Sequence, residues 1–128
     1  MVCDTLSHMS RALKVSGFAA LTLQMLWGMG NVVGLMQGGN PGAVVGAHAH
    51  FGILSILAVV AGFAVDEFDI RGTQRTVAVW GFIVGQWLLP ATILGELFLP
   101  PQALLSAFLW GILLTVSMGI FGYHALKQ

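Results

Sequence analysis

Four apolar stretches, each about the length of one membrane crossing, constrain this chain more than anything else in it. At some 20 apolar residues per crossing, they run from about Val15 to Met36, Ala43 to Val65, Thr76 to Leu99 and Ala103 to His124. The chain has 128 residues, 57% of them hydrophobic and 8% charged, against roughly a quarter charged in soluble domains. A soluble fold of this size could not hide that surface, because small domains leave much of theirs facing water. The expected fold is therefore an all-α, integral membrane four-helix bundle forming one domain over residues 1–128, with the lipid bilayer as its main solvent.

The connectors are short. QGGNPG at 37–42 is turn chemistry, with Gly and Asn supplying positive φ and Pro41 separating two helices. DEFDIRGTQR at 66–75 is the one charged loop, and Pro100-Pro101 closes the third span because proline cannot continue a helix. The five basic residues, Arg11, Lys14, Arg71, Arg75 and Lys127, then all fall on one side. The positive-inside rule assigns that side, with both termini, to the cytoplasm, and the expected location is the cytoplasmic membrane of a prokaryote. The balanced charge lacks the basic, aromatic-interleaved patch of a nucleic-acid binder. Cys3 is the single cysteine, so there is no CxxCH for covalent haem attachment.

Small residues recur every four positions: Gly30, Gly34 and Gly38; Gly42 and Gly46; Gly81 and Gly85; Ala103, Ala107 and Gly111. Such ridges allow helices to pack closely in lipid, and close packing alone would account for them. Four short helices have little interior of their own, which favours a site built between protomers.

Polar groups at membrane depth are costly and mark functional candidates. His48 and His50 sit about 7 to 10 Å inside the second span at 1.5 Å per residue. Asn31 and Glu96 lie at comparable or shallower depth, with Gln86, Trp87 and Thr92 further along the third span. These residues are expected to line one outward-leaning pocket. Positions i and i+2 of a helix face opposite ways, so the two histidines cannot chelate one metal, and no zinc-type ligand set accompanies them. A single imidazole with an apolar slot does suffice as the axial ligand of a haem iron. The alternative is a histidine that hydrogen-bonds a neighbouring helix. His8 and His124 lie at the helix ends, where a cation suits the helix dipole at His124.

Ala49-His50-Phe51-Gly52, then Gln74-Arg75-Thr76 with Gly81 and Ile83, then Gly122-Tyr123-His124-Ala125-Leu126-Lys127 follow one another at spacings that resemble the styrene oxide isomerase family. These are small four-span membrane proteins that bind haem b and rearrange an epoxide to an aldehyde. The similarity covers about residues 17 to 127. It implies that His50, matching the histidine of the family's Ala-His-x-Gly, is the iron ligand, with His48 the lesser candidate. It also implies non-covalent haem b held at subunit interfaces of a homotrimer. Gly46, Asn31, Gln86 and Trp87 are the further candidates for contact with the cofactor. The family's catalytic partners do not carry over: its asparagine six residues after the ligand is Ile56 here, and its third-span tyrosine corresponds to about Gly95. Glu96, next door, is the candidate catalytic substitute.

Three functions follow as expectations. The first is a haem b membrane protein of the isomerase fold, whose chemistry is redox, sensing or a divergent isomerisation. The second is an active epoxide isomerase, in which ferric haem acts as a Lewis acid on a small apolar substrate. The third is a cofactor-free structural or accessory subunit in which both histidines serve packing.

Overall fold

The computed structural model describes residues 2–39 and 41–128, with side chains described from His8 onward. It contains four helices: α1 (Val2–Met36), α2 (Gly42–Glu67), α3 (Gly72–Gly95) and α4 (Ser106–Ala125), the last preceded by a 3-10 turn at Pro101–Leu105. All four are long and apolar enough to cross a membrane, the fourth together with its 3-10 turn. The protein is thus an all-α four-helix bundle of the integral membrane class.

The helices exceed or fall short of the expected spans where polar residues meet turns. At 1.5 Å per residue α1 is about 52 Å long, well beyond the roughly 30 Å of a hydrocarbon core. Its extra turns are not idle, since Ser10 and Leu13 are buried and Met9 packs on the core. The third span was expected to reach Leu99, but α3 ends at Gly95. Residues 96–99 form a closing turn in which the Leu99 amide donates to the Gly95 carbonyl at 2.8 Å. Between α1 and α2, Gly38 and Gly39 take φ of +120° and +105°, and the Gly39 amide caps the Gly34 carbonyl at 3.0 Å. That is the glycine-dependent helix stop expected of this turn; Asn40 lies outside the described residues.

Helices pack in chain order, α1 on α2, α2 on α3 and α3 on α4. Contacts between α1 and α3 and between α2 and α4 are slight, and among the described residues none join α1 to α4. The bundle is consequently open along one side, with large apolar side chains such as Met25, Met29, Ile53, Phe63 and Phe108 exposed. Its core is the cluster of Leu13, Ala58, Val65, Ile70, Val79 and Phe82.

Glycine sets how closely the neighbours approach. A Cβ on Gly17 would meet Val59 and the Ser55 carbonyl at under 3 Å, one on Gly62 would meet Lys14 at 2.6 Å, and one on Gly85 would meet Leu114 at 2.5 Å. The expected ridge Gly81–Gly85 therefore forms the α3–α4 seam, with Gly81 against Ser117. Gly30, Gly42 and Gly111 of the other expected ridges face open space, as do Gly119 and Gly122.

The ion-paired groups gather at one end. Asp66 pairs with Lys14 at 3.0 Å and with Arg75 at 3.0 Å, while Arg71 pairs with Asp69. The Gln128 side chain donates to the Glu67 carbonyl at 2.9 Å. This is the grouping that the four-span reading required, and it ties α1, α2 and α3 together in fold as well as in topology.

Candidate functional site

The two histidines of α2 face different surroundings. His48 looks into α1, where Gln24, Trp27 and Gly28 form a socket around it. The Gln24 side-chain nitrogen lies 3.1 Å from His48 Nε2. Trp27 meets the imidazole edge-on at 5.8 Å, and a Cβ on Gly28 would come within 3.2 Å of the ring. An amide nitrogen can only donate, so His48 Nε2 accepts and the ring proton sits on Nδ1. That Nδ1 is buried without a hydrogen-bond partner among the described residues. Gly52 belongs to the same socket, since a Cβ there would collide with the Gln24 amide at 2.8 Å.

His50 is exposed and turned away from α1. Its Nδ1 lies 2.8 Å from the Gly46 carbonyl, one turn earlier in α2. A carbonyl can only accept, so Nδ1 carries a proton, and in the neutral ring Nε2 is then the nitrogen with the lone pair. Fixing the tautomer from behind through a backbone carbonyl is how proteins prepare an imidazole to bind a metal through its other nitrogen. One of the two histidines therefore has its Nε2 engaged, and the other has it available.

The surface beyond His50 is apolar. Leu54, one turn further along α2, begins a groove of about 510 Å³ between α2 and α4, walled also by Leu57, Phe82, Leu114 and Met118. Among the described residues no three His, Cys, Asp or Glu side chains cluster as a metal site. A lone imidazole beside an apolar groove fits an iron whose other ligands come from a porphyrin, and it does not fit a bare ion.

The remaining candidates are distributed elsewhere. Gly46 is joined to His50 through its carbonyl, and a Cβ on it would meet nothing nearer than Ile93 at 3.8 Å. Gln86 is fully buried, accepting from Ser16 of α1 at 3.1 Å and donating to Ser55 of α2 at 3.4 Å. Trp87 donates its indole N–H to the same Ser16 at 2.9 Å and stacks edge-on against Phe51 at 5.2 Å. These two residues clasp three helices together. Asn31 sits on α1, the helix that covers the face of α2 opposite His50. Glu96 is an exposed residue at the C-terminal cap of α3. Of the polar group expected to share one pocket, only Trp87 lines the aromatic cleft that the structure has between α1, α2 and α3.

The other motif residues hold the charged end together. Arg75 is buried, donating to the Ile70 carbonyl at 3.2 Å besides its pair with Asp66. Gln74 accepts from His124 Nε2 at 2.8 Å, joining α3 to α4, and Lys127 lies 4.2 Å over the Tyr123 ring. Gln24 is the site residue that sequence reasoning missed. A glutamine within the first apolar span was its available signal, since polar side chains at membrane depth find partners.

No curated protein and no solved structure matches the chain. A family model described as a domain of unknown function (DUF8059) matches residues 9–128, nearly the whole chain, and the protein belongs to this family.

Proposed function

We propose that the protein is a haem b-binding integral membrane protein, similar to the styrene oxide isomerases, in which His50 Nε2 is the axial ligand to the iron. The observation that carries this reading is the Gly46 carbonyl bound to His50 Nδ1, which makes Nε2 the lone-pair nitrogen of the neutral ring, on an exposed side chain. His48 is the packing histidine of the pair, its Nε2 already bonded to Gln24. A bound haem would supply an iron centre for electron transfer, for sensing of a small ligand, or for Lewis-acid chemistry. The chain's part is to present one imidazole and the apolar groove that starts at Leu54.

Several features favour a homo-oligomer, with a trimer as the arrangement that the family resemblance implies and haem at its interfaces. The open side of the bundle, the exposed position of His50 and the unfilled faces of Gly111, Gly119 and Gly122 all leave room for a neighbouring copy. In this reading the charged end and both termini face the cytoplasm of a prokaryote, by the positive-inside rule.

Redox or sensing chemistry is favoured over epoxide isomerisation. Ile56, where the family has asparagine, is an exposed apolar side chain, and Gly95, near the family's tyrosine, has no side chain to offer. Purification from haem-replete cells tests the proposal: a Soret band at about one haem per chain supports it. Haem-free, folded protein would instead favour the structural-subunit reading.

A further inference from the structure

We propose that the tip of the α3–α4 hairpin, residues 91–110, is a hinged lid on the cleft between α1, α2 and α3, turning about Pro90 and Gly111. The inference does not depend on the haem reading.

Both helices of the hairpin are weakened at one level. Pro90 lies inside α3 and has no N–H, so the Gln86 carbonyl four residues earlier loses its helical donor. Gly111 lies inside α4, where glycine is the poorest helix former after proline, and a Cβ on it would meet nothing within 4 Å. Two contacts bracket the level. Gly85 meets Leu114 on one side of it, and Thr92 meets Trp110 on the other. Pro90 falls between Gly85 and Thr92, and Gly111 between Trp110 and Leu114. A single weak point would be splinted by the unbroken helix beside it, whereas two at one depth let the pair bend together.

Packing changes across that level. Toward the ion-paired end the hairpin is fixed: Phe82, Gln86 and Leu114 are buried, a Cβ on Gly81 or Gly85 would collide at under 3 Å, and Ser16 of α1 bonds both Gln86 and Trp87. Beyond it, no residue of 91–110 is buried. The 3-10 turn touches only α3 and α4 among the described residues, and Ile93 would stand 3.8 Å from a Cβ on Gly46 of α2. A segment with few buried contacts is free to move apart from its core. The tip is nonetheless held together within itself. The Trp110 indole donates to Thr92 at 3.0 Å, the Leu99 amide to the Gly95 carbonyl at 2.8 Å and the Ala103 amide to the Pro100 carbonyl at 2.9 Å. A stiff body joined through a few yielding residues is the arrangement of a hinge motion.

The cleft, about 360 Å³ in volume, lies across the hinge. Ala91 and Leu94 of the tip line it together with Leu23 and Trp27 of α1. Movement of the tip therefore widens or narrows it, while Phe51 and Trp87, also in its lining, stay with the core. From Pro90 to Gly95 α3 runs about 9 Å at 1.5 Å per residue. A swing of about 20°, a modest kink for a helix broken by proline, carries that end by about 3 Å.

Double electron–electron resonance in nanodiscs tests the lid, with Cys3 replaced by serine, labelled protein diluted in unlabelled protein, and spin labels at exposed positions. A pair at Gln37 and Gln102 reports the separation of α1 from the tip, and a pair at Gln37 and Val77, both outside the tip, is the reference. The tip pair is expected to give a distance distribution broader than the reference by at least about 3 Å, the swing worked out above. Pro90→Ala with Gly111→Ala restores a helical bond and raises helix propensity, and should narrow the tip distribution to the reference width. Gly111→Ala, set in open space, should narrow it in part by itself, which keeps the test decisive if Pro90→Ala disturbs folding. A wild-type tip distribution as narrow as the reference, or a breadth that these substitutions leave unchanged, would overturn the proposal.

Discussion

Substituting Gly85 by alanine probes the α3–α4 seam at its closest point. An added methyl would lie 2.5, 2.9 and 3.2 Å from three atoms of the Leu114 side chain. Overpacking of that kind costs about 1–3 kcal/mol. Alanine returns about 1 kcal/mol through its better helix propensity, so Gly85→Ala alone should destabilise by up to about 2 kcal/mol. Leu114→Ala removes most of a buried side chain from the same contact and should cost about 2–4 kcal/mol on its own. In the double variant the new methyl enters the space that Leu114 vacates, so the two effects should fall short of additivity by about 1–2 kcal/mol. SDS unfolding titrations of the four proteins from mixed micelles, followed by circular dichroism, measure all the terms. Additivity within about 0.5 kcal/mol would mean that the two side chains do not meet, and the packing of α4 described above would be wrong.

Four other consequences are open to measurement. Asp66→Asn breaks a pair with the buried Arg75 and should cost about 1–3 kcal/mol in the same titration, the half-exposed carboxylate holding it below a fully buried pair. Asp69→Asn, in the exposed pair with Arg71, should change stability by no more than about 0.5 kcal/mol. Gly52→Ala drives a methyl into the Gln24 amide, so it should perturb the His48 ring resonances in NMR spectra while leaving those of His50 in place; the reverse pattern would refute the α1 socket. Haem-loaded protein should convert styrene oxide to phenylacetaldehyde on the order of 10²-fold or more slowly than a family isomerase at equal haem, since each lost positioning group in a dry site carries that much rate. Comparable turnover would show that the iron and the pocket shape suffice.

Much of this architecture was legible in the sequence because lipid imposes strong rules. Apolar length gave the four crossings, and the single side shared by Arg11, Lys14, Arg71, Arg75 and Lys127 agrees with the ion-pair cluster around Asp66. Helix geometry alone separated His48 from His50. Hydropathy, however, detects spans and not helices, which is why the polar first turns of α1 and α3 went unseen. Residue depth placed Gln86 and Trp87 near the histidines, but rotation about the helix axis sends them to Ser16 and Ser55 instead. Four-residue spacing marked Gly30, Gly42 and Gly111 as readily as Gly81 and Gly85, while Gly17 and Gly62, in the tightest α1–α2 contacts, belong to no ridge. A glycine's neighbour lies on another helix, and no local pattern reports it. Gln24 is the same case for a hydrogen bond, because its partner lies 24 residues away.

The central claim is that Nε2 of His50, and not that of His48, binds haem iron. Visible spectra of haem-reconstituted wild-type, His50→Gly and His48→Ala proteins, recorded with and without added imidazole, test it most directly. The account predicts a Soret band in wild type and in His48→Ala, its loss or strong weakening in His50→Gly, and its return when imidazole occupies the vacated position. An unchanged Soret band in folded His50→Gly, or one lost only in His48→Ala, would contradict it.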